Sequence, residues 1–367
     1  MAGPVVIAAG GTGGHIFPAQ SLAQELAKRG VPVVLMTDDR GQNYAQTFPQ
    51  AKIVTVPSAT FAGRGMVGKG FAVLRLARGA LSAFFALGRT KPSVVVGFGG
   101  YPALPTMFAA QRRGLPTVIH EQNAVLGRVN RWLSPSVTKI ASAFEKLTHL
   151  EAVLQPVVTV TGNPVRPAVI DAATAYAKPT PDGRLNVLVF GGSQGARVFA
   201  TLVPEAIAKL PESVRQRLDL TQQCRPEDLD AAKARYAAMG LRPTLGSFFT
   251  DMGQRLAAAH LVISRAGAST VTELCAVGRP SILIPYPFAM DDHQTVNAGQ
   301  LAEAGAAWTY KEADLTAEML AAKVTELAEY PVLLEAAAAK ALSLGRRDAA
   351  SRLADLVTEV GGLKARS

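Results

Sequence analysis

Several short segments of this chain carry residue types that do chemistry, and each follows an apolar, β-rich run. Gly10-Gly11-Thr12-Gly13-Gly14-His15 follows Pro4–Ala9, and Gly191-Gly192-Ser193-Gln194-Gly195-Ala196-Arg197 follows Leu185–Phe190. Glycines let the backbone pass close to a bulky group, and a helix after such a turn points unpaired N–H groups at an anion. His15, after four glycines in five residues, is a candidate general base, although a lone histidine is usually structural. His120-Glu121-Gln122-Asn123 follows Thr117-Val118-Ile119. Four hydrogen-bonding residues at a strand's carboxyl end fit the edge that borders ligands in open α/β sheets.

Ser264-Arg265-Ala266-Gly267-Ala268-Ser269-Thr270-Val271-Thr272-Glu273 reads as a strand end, a small-residue turn and a helix start. Its N–H groups and hydroxyls suit a diphosphate, and Glu273 could accept both hydroxyls of a ribose. An ordinary capped helix with an acidic first turn explains the same residues equally well. Arg166 could clamp a diphosphate through two parallel hydrogen bonds, or be a solvated surface arginine.

Other motifs fall short. Neither glycine loop is a dinucleotide fingerprint: Ile16 takes the last glycine position of the first, and Ser193 the middle one of the second. Gly63–Gly70 approaches a P-loop, but Gly70 replaces the Ser or Thr that holds magnesium, so it reads as a loop. Asp228-Leu229-Asp230 opens a helix, where acids suit the dipole. Asp291-Asp292-His293-Gln294 suits hydroxyl recognition as well as a metal.

The elements that position these segments alternate. In the first half, strands are expected near residues 4–9, 31–37, 52–56, 93–97, 117–119, 139–141 and 157–160, with a helix from Pro18 to Arg29. A Pro- and Gly-rich stretch follows, and the pattern restarts at Leu185. Such alternation predicts parallel sheets covered by helices, in two domains. The expected boundaries are 1–162 and 185–343, joined by 163–184, with a last helix over 344–367.

The 367 residues are 49% hydrophobic and 18% charged, as in a globular chain. Cys224 and Cys275, the two cysteines, exclude a disulfide framework. No basic leader precedes the first strand, and Arg75 and Arg78 interrupt the longest apolar run, Phe71–Leu87, so neither a signal peptide nor a spanning helix is expected. Residues 1–165 hold 16 Lys and Arg against 6 Asp and Glu, while the remainder hold 22 of each. A basic half implies a polyanionic partner. At ~100° per residue, Arg75, Arg78 and Arg89 share a sector of about 60° beside Leu74, Leu81, Phe84 and Phe85. That arrangement suits an anionic membrane surface, or equally an amphipathic helix facing a core.

In order, the glycine loops, Gly99-Gly100-Tyr101-Pro102, His120-Glu121-Gln122-Asn123, Gly162-Asn163-Pro164-Val165-Arg166 and Arg265 through Glu273 resemble the MurG family, membrane-associated N-acetylglucosaminyltransferases of peptidoglycan synthesis. The resemblance covers nearly the whole chain. It implies a GT-B fold, with two Rossmann-like parallel-sheet domains facing across a cleft and the last helix returning to the first. It implies inverting transfer of N-acetylglucosamine from UDP-GlcNAc to the C4 hydroxyl of MurNAc in undecaprenyl-diphospho-MurNAc-pentapeptide, without metal or cofactor, at the cytoplasmic face of the inner membrane.

By that resemblance the donor diphosphate meets Arg166, Ser193 and the helix start at Ala268, Ser269 and Thr270, continuing through Val271 and Thr272. Glu273 holds the ribose, and the backbone at Phe249 meets uracil. Asn123, Gln294 and Asn297 bind sugar hydroxyls, and Thr12, Gly13 and Gly14 line the acceptor side. His15 is the leading base, with Tyr101, His120 and Glu121 as helpers. Two departures from the family pattern are Phe249, where an aliphatic residue is common, and His293, where an amide is. A UDP-sugar epimerase of the same fold and a nucleic-acid binder are the rival readings; the latter lacks an aromatic RNA-reading motif.

Overall fold

The computed structural model describes residues 3–11, 13–39, 46–48, 50–60, 66–180, 182–192 and 195–363, the side chains of Met66, Val67 and Lys69 excepted. The chain forms two compact units, Met1–Arg166 with Arg347–Ser367, and Pro167–Arg346.

The first unit carries β1 (Val5–Ala8), α1 (Gly13–Lys28), β2 (Val33–Thr37), β3 (Lys52–Thr55), α2 (Met66–Thr90), β4 (Val94–Gly97), α3 (Gly100–Arg112), β5 (Thr117–Glu121), α4 (Arg128–Leu133), β6 (Lys139–Ser142) and β7 (Val158–Val160). The second carries α5 (Pro167–Asp171), β8 (Leu185–Phe190), α6 (Phe199–Ala208), α7 (Glu212–Arg215), β9 (Leu218–Gln223), α8 (Leu229–Ala238), β10 (Thr244–Gly246), α9 (Met252–Ala258), β11 (Leu261–Ser264), α10 (Ala268–Val277), β12 (Ser281–Leu283), α11 (His293–Glu303), β13 (Ala307–Thr309), α12 (Ala317–Glu329) and α13 (Pro331–Leu344). The last helix, α14 (Ala349–Val360), belongs to the first unit.

Both sheets are parallel, ordered β3-β2-β1-β4-β5-β6-β7 and β10-β9-β8-β11-β12-β13. Strands β1 and β4 are buried at every position because helices cover both faces, which is why they read as unbroken apolar runs. Strand order reverses between β1 and β4, where Ala8 pairs with Gly97, and between β8 and β11, where Phe190 pairs with Ser264. Loops leaving the carboxyl ends of such neighbours diverge and leave room for a ligand. All four glycine- or small-residue loops singled out from the sequence leave these strands.

Helix α1 begins at Gly13, not at Pro18, so the expected start is corrected. Proline suits a first turn but does not define it, and the two glycines before His15 already carry helical backbone. His15 therefore rides on the first turn of α1. Residues 167–180 are built into the second unit: Arg279 donates to Thr174 O, and Tyr176 donates to His260 O.

Gly70–Thr90 of α2 has the length and composition to cross a membrane, on those two criteria alone. Its Ala72, Ala83 and Leu87 are buried, and the helix packs along α3, so it is a covering helix of the first unit. Helix α14 lies on α1 and reaches β4, β5 and β6, with Leu353 and Val357 in the core beside Ile16, Leu22 and Leu26. Arg29 ties it down through Asp355, at 2.5 Å, and Ser351 Oγ, at 2.7 Å.

Candidate functional site

In the first unit the candidate residues gather at the carboxyl ends of β1, β4 and β5. His15 Nδ1 stands 3.1 Å from Gln122 Oε1. The Gln122 Nε2 amide lies 3.1 Å from Phe98 O, 3.0 Å from His120 O and 3.0 Å from His120 Nδ1. His120 Nε2 lies 3.1 Å from Gly162 O. His120 is 0% exposed and packs on the Phe98 ring. Burial pulls its pKa down to about 4, so the ring is neutral near pH 7.

The Glu121 carboxylate is also buried, and four donors hold it: Asn123 N at 3.0 Å, Asn123 Nδ2 at 3.3 Å, Gly127 N at 2.9 Å and Asn130 Nδ2 at 2.8 Å. His120 and Glu121, expected as helpers of the base, are thus enclosed and spend their polar atoms on neighbouring chain. Buried charge needs this kind of satisfaction. Of the histidines at this edge, His15 is the one partly exposed. Tyr101, half-buried, lies in the first turn of α3, and Gly13 and Gly14 open α1. Arg166 stacks over the Phe17 ring of α1 at 5.4 Å. Thr12 falls outside the described residues.

In the second unit the candidate residues follow the paired strands β8 and β11. Gly191 is obligatory there: a Cβ would stand 2.2 Å from Ala196 N, so only glycine lets the loop fold back on itself. Ser193 falls outside the described residues. Gly267 caps α10, whose first residues are Ala268, Ser269 and Thr270. Ser269 Oγ is buried without a hydrogen-bond partner among the described residues, a cost that a ligand oxygen would relieve. Glu273 is buried on the same helix.

The Val271 side chain is wholly in the core, and the Thr272 hydroxyl donates to Ala268 O and Ser269 O. Gln294 Oε1 accepts from Ala266 N at 3.1 Å and Tyr286 N at 3.0 Å, and Asn297 Nδ2 donates to Ala266 O. Both amides therefore fix the loop before α10. The Phe249 ring centre lies 4.2 Å beneath the Arg255 guanidinium.

Asp291 and Asp292 occupy left-handed backbone, and Asp292 accepts from Thr295 while His293 Nδ1 lies against Met290 O. That is a helix-entry turn. Asp228 is paired with Arg225, whose hydrogen bond lowers its pKa. Among the described residues no three His, Cys, Asp or Glu side chains converge as metal ligands. Gln122 is what residue-by-residue reading missed: it stood in the polar quartet, but its partner lies 107 residues away.

Comparison with known proteins agrees with this layout. The glycosyltransferase family 28 N-terminal domain matches residues 5–142, and the family 28 C-terminal domain matches residues 186–353. A Rhodospirillum centenum protein named UDP-N-acetylglucosamine–N-acetylmuramyl-(pentapeptide) pyrophosphoryl-undecaprenol N-acetylglucosamine transferase is 50% identical over 361 residues, covering 98% of this chain and 95% of that one. The crystal structure of Acinetobacter baumannii MurG superposes with a TM-score of 0.78 at 30% identity, covering 97% and 99% of the two chains. A Listeria monocytogenes structure titled as a UDP-N-acetylglucosamine 2-epimerase reaches 0.69 at 16% identity, with 100% and 99% covered, and so shares the fold alone. With both domain matches in sequence order and half of all positions identical across nearly its full length, the chain belongs to glycosyltransferase family 28 and, within it, to the MurG family.

Proposed function

We propose that this enzyme transfers N-acetylglucosamine from UDP-GlcNAc to the C4 hydroxyl of MurNAc in undecaprenyl-diphospho-MurNAc-pentapeptide, inverting the anomeric centre. The single observation that carries the reading is 50% identity over 98% of the chain to a protein named for that donor and acceptor. The epimerase alternative rests on shared fold only.

Several features support the division of labour. His15 Nε2 takes the C4 proton as that oxygen bonds to the anomeric carbon. The bond from that carbon to the diphosphate oxygen breaks, and UDP leaves with the electron pair. Negative charge growing on the leaving diphosphate is met by the amino end of α10, Ser269 and Arg166, whose guanidinium can bind phosphate with two parallel hydrogen bonds. Glu273 holds the ribose, while Asn123 serves a sugar.

An anionic membrane surface is the further partner. Phe71, Leu74, Leu81 and Phe85 of α2 are each more than half exposed. At ~100° per residue they fall within about 80°, opposite buried Ala72, Ala83 and Leu87 and beside Arg75, Arg78 and Arg89. Phe84 is instead half-buried beneath Arg113, 4.5 Å from its ring centre. A solvent-facing apolar stripe edged by arginines favours peripheral binding at the leaflet holding the lipid substrate.

Incubation with labelled UDP-GlcNAc and the lipid-linked acceptor tests the function. Label appearing in a lipid-linked disaccharide is expected. Epimerised free sugar nucleotide, without transfer, would overturn it.

A further inference from the structure

Gln122, 1% exposed, sits between the two histidines of the first unit. Its amide has one chemically consistent orientation. Nε2 faces Phe98 O and His120 O, both of which only accept, so it must be the nitrogen and Oε1 must face His15. An amide oxygen cannot donate, so His15 Nδ1 carries the proton and Nε2 carries the lone pair. At the other end Gly162 O can only accept, so His120 Nε2 carries that ring's proton and its Nδ1 receives from Gln122. The fixed carbonyls of Gly162 and Phe98 thereby determine which His15 nitrogen is basic.

We propose that Gln122 is the positioning residue of the transfer reaction, holding His15 as its Nδ1–H tautomer with Nε2 directed at the acceptor hydroxyl. An unconstrained neutral histidine favours the Nε2–H form, in which that nitrogen could take no proton. The amide supplies what a carboxylate or asparagine supplies to the histidine of other catalytic constellations. Room for Nε2 comes from Gly100, whose absent Cβ would lie 3.3 Å away. The inference rests on the reading of His15 as base.

The test uses the whole enzyme with 15N-labelled histidine and the two substrates. Wild-type His15 should show the Nδ1–H imidazole pattern in 15N spectra near neutral pH; an Nε2–H pattern overturns the proposal without any variant. Gln122→Met keeps the side chain's length and removes the hydrogen bonds. It should shift His15 toward Nε2–H and lower kcat about tenfold or more, with both KM values held within about twofold. In a His15→Ala background the same change should cost almost nothing further, because the two act as a unit. Full kcat in Gln122→Met, or a loss that multiplies with that of His15→Ala, overturns the proposal. No transfer by wild type would instead sink the function, and full turnover by His15→Ala would sink the base.

Discussion

A Cβ built on Gly100 would stand 3.3 Å from His15 Nε2, so the amino end of α3 passes the ring at the distance of a missing methyl group. Gly100 also has a φ of 69°, where L side chains are strained. Gly100→Ala should therefore crowd the base and strain the start of α3, lowering kcat severalfold or more. UDP affinity should stay unchanged, since none of the groups proposed for the diphosphate and ribose, Arg166, Ser269 and Glu273, lies on α3. Steady-state kinetics beside calorimetry with UDP would check both halves.

Ser269→Ala removes a hydroxyl that is buried and has no partner among the described residues. Thermal stability should hold or rise slightly, because no protein hydrogen bond is lost. UDP-GlcNAc binding should weaken by about 1.5–3 kcal/mol, the worth of a hydrogen bond to a charged group. Melting curves with and without UDP distinguish this from a structural defect, which would lower both.

His120 gives the first unit a pH dependence. Its folded pKa is about 4 against 6.5 for the free side chain, so between those values the unfolded chain binds the extra proton. Stability is then greatest above about pH 6.5 and falls as pH drops toward 4, by up to ~3 kcal/mol. Urea unfolding at pH 7 and pH 4.5 should show the loss. His120→Gln, which does not titrate, should flatten this part of the slope.

Replacing Leu81 and Phe85 by Glu should leave folding intact, since both are more than half exposed. Association with vesicles rich in phosphatidylglycerol should fall by ~1 kcal/mol or more per site, from lost apolar burial and added repulsion. Sedimentation over a salt series measures this. Unchanged binding would remove α2 from the membrane surface.

The strands were legible because both faces of each sheet are covered, so Val5–Ala8, Val94–Gly97 and Leu185–Phe190 stand out as apolar runs cut by glycine. The second unit's restart at Leu185 was equally plain. Less legible was β13, a three-residue strand whose pattern Ala307-Trp308-Thr309 carries little signal. Which side chains meet was the least accessible information. Gln122 reads as one polar residue among four, and only the pairing of β1, β4 and β5 brings it to His15. Helical phase was equally hidden: it turns the Thr272 hydroxyl onto its own backbone and the Val271 side chain inward.

Helix α14 completes a hydrophobic cluster begun by residues at the opposite end of the chain. On the ribosome, the first 166 residues therefore emerge with a bare apolar strip where Leu353, Ala354 and Val357 later settle. Closure must wait until α14 has left the exit tunnel. A stop codon just after Arg346 would thus deprive the amino-terminal unit, not the unit whose coding sequence it adjoins, and would leave a sticky product for cellular proteases.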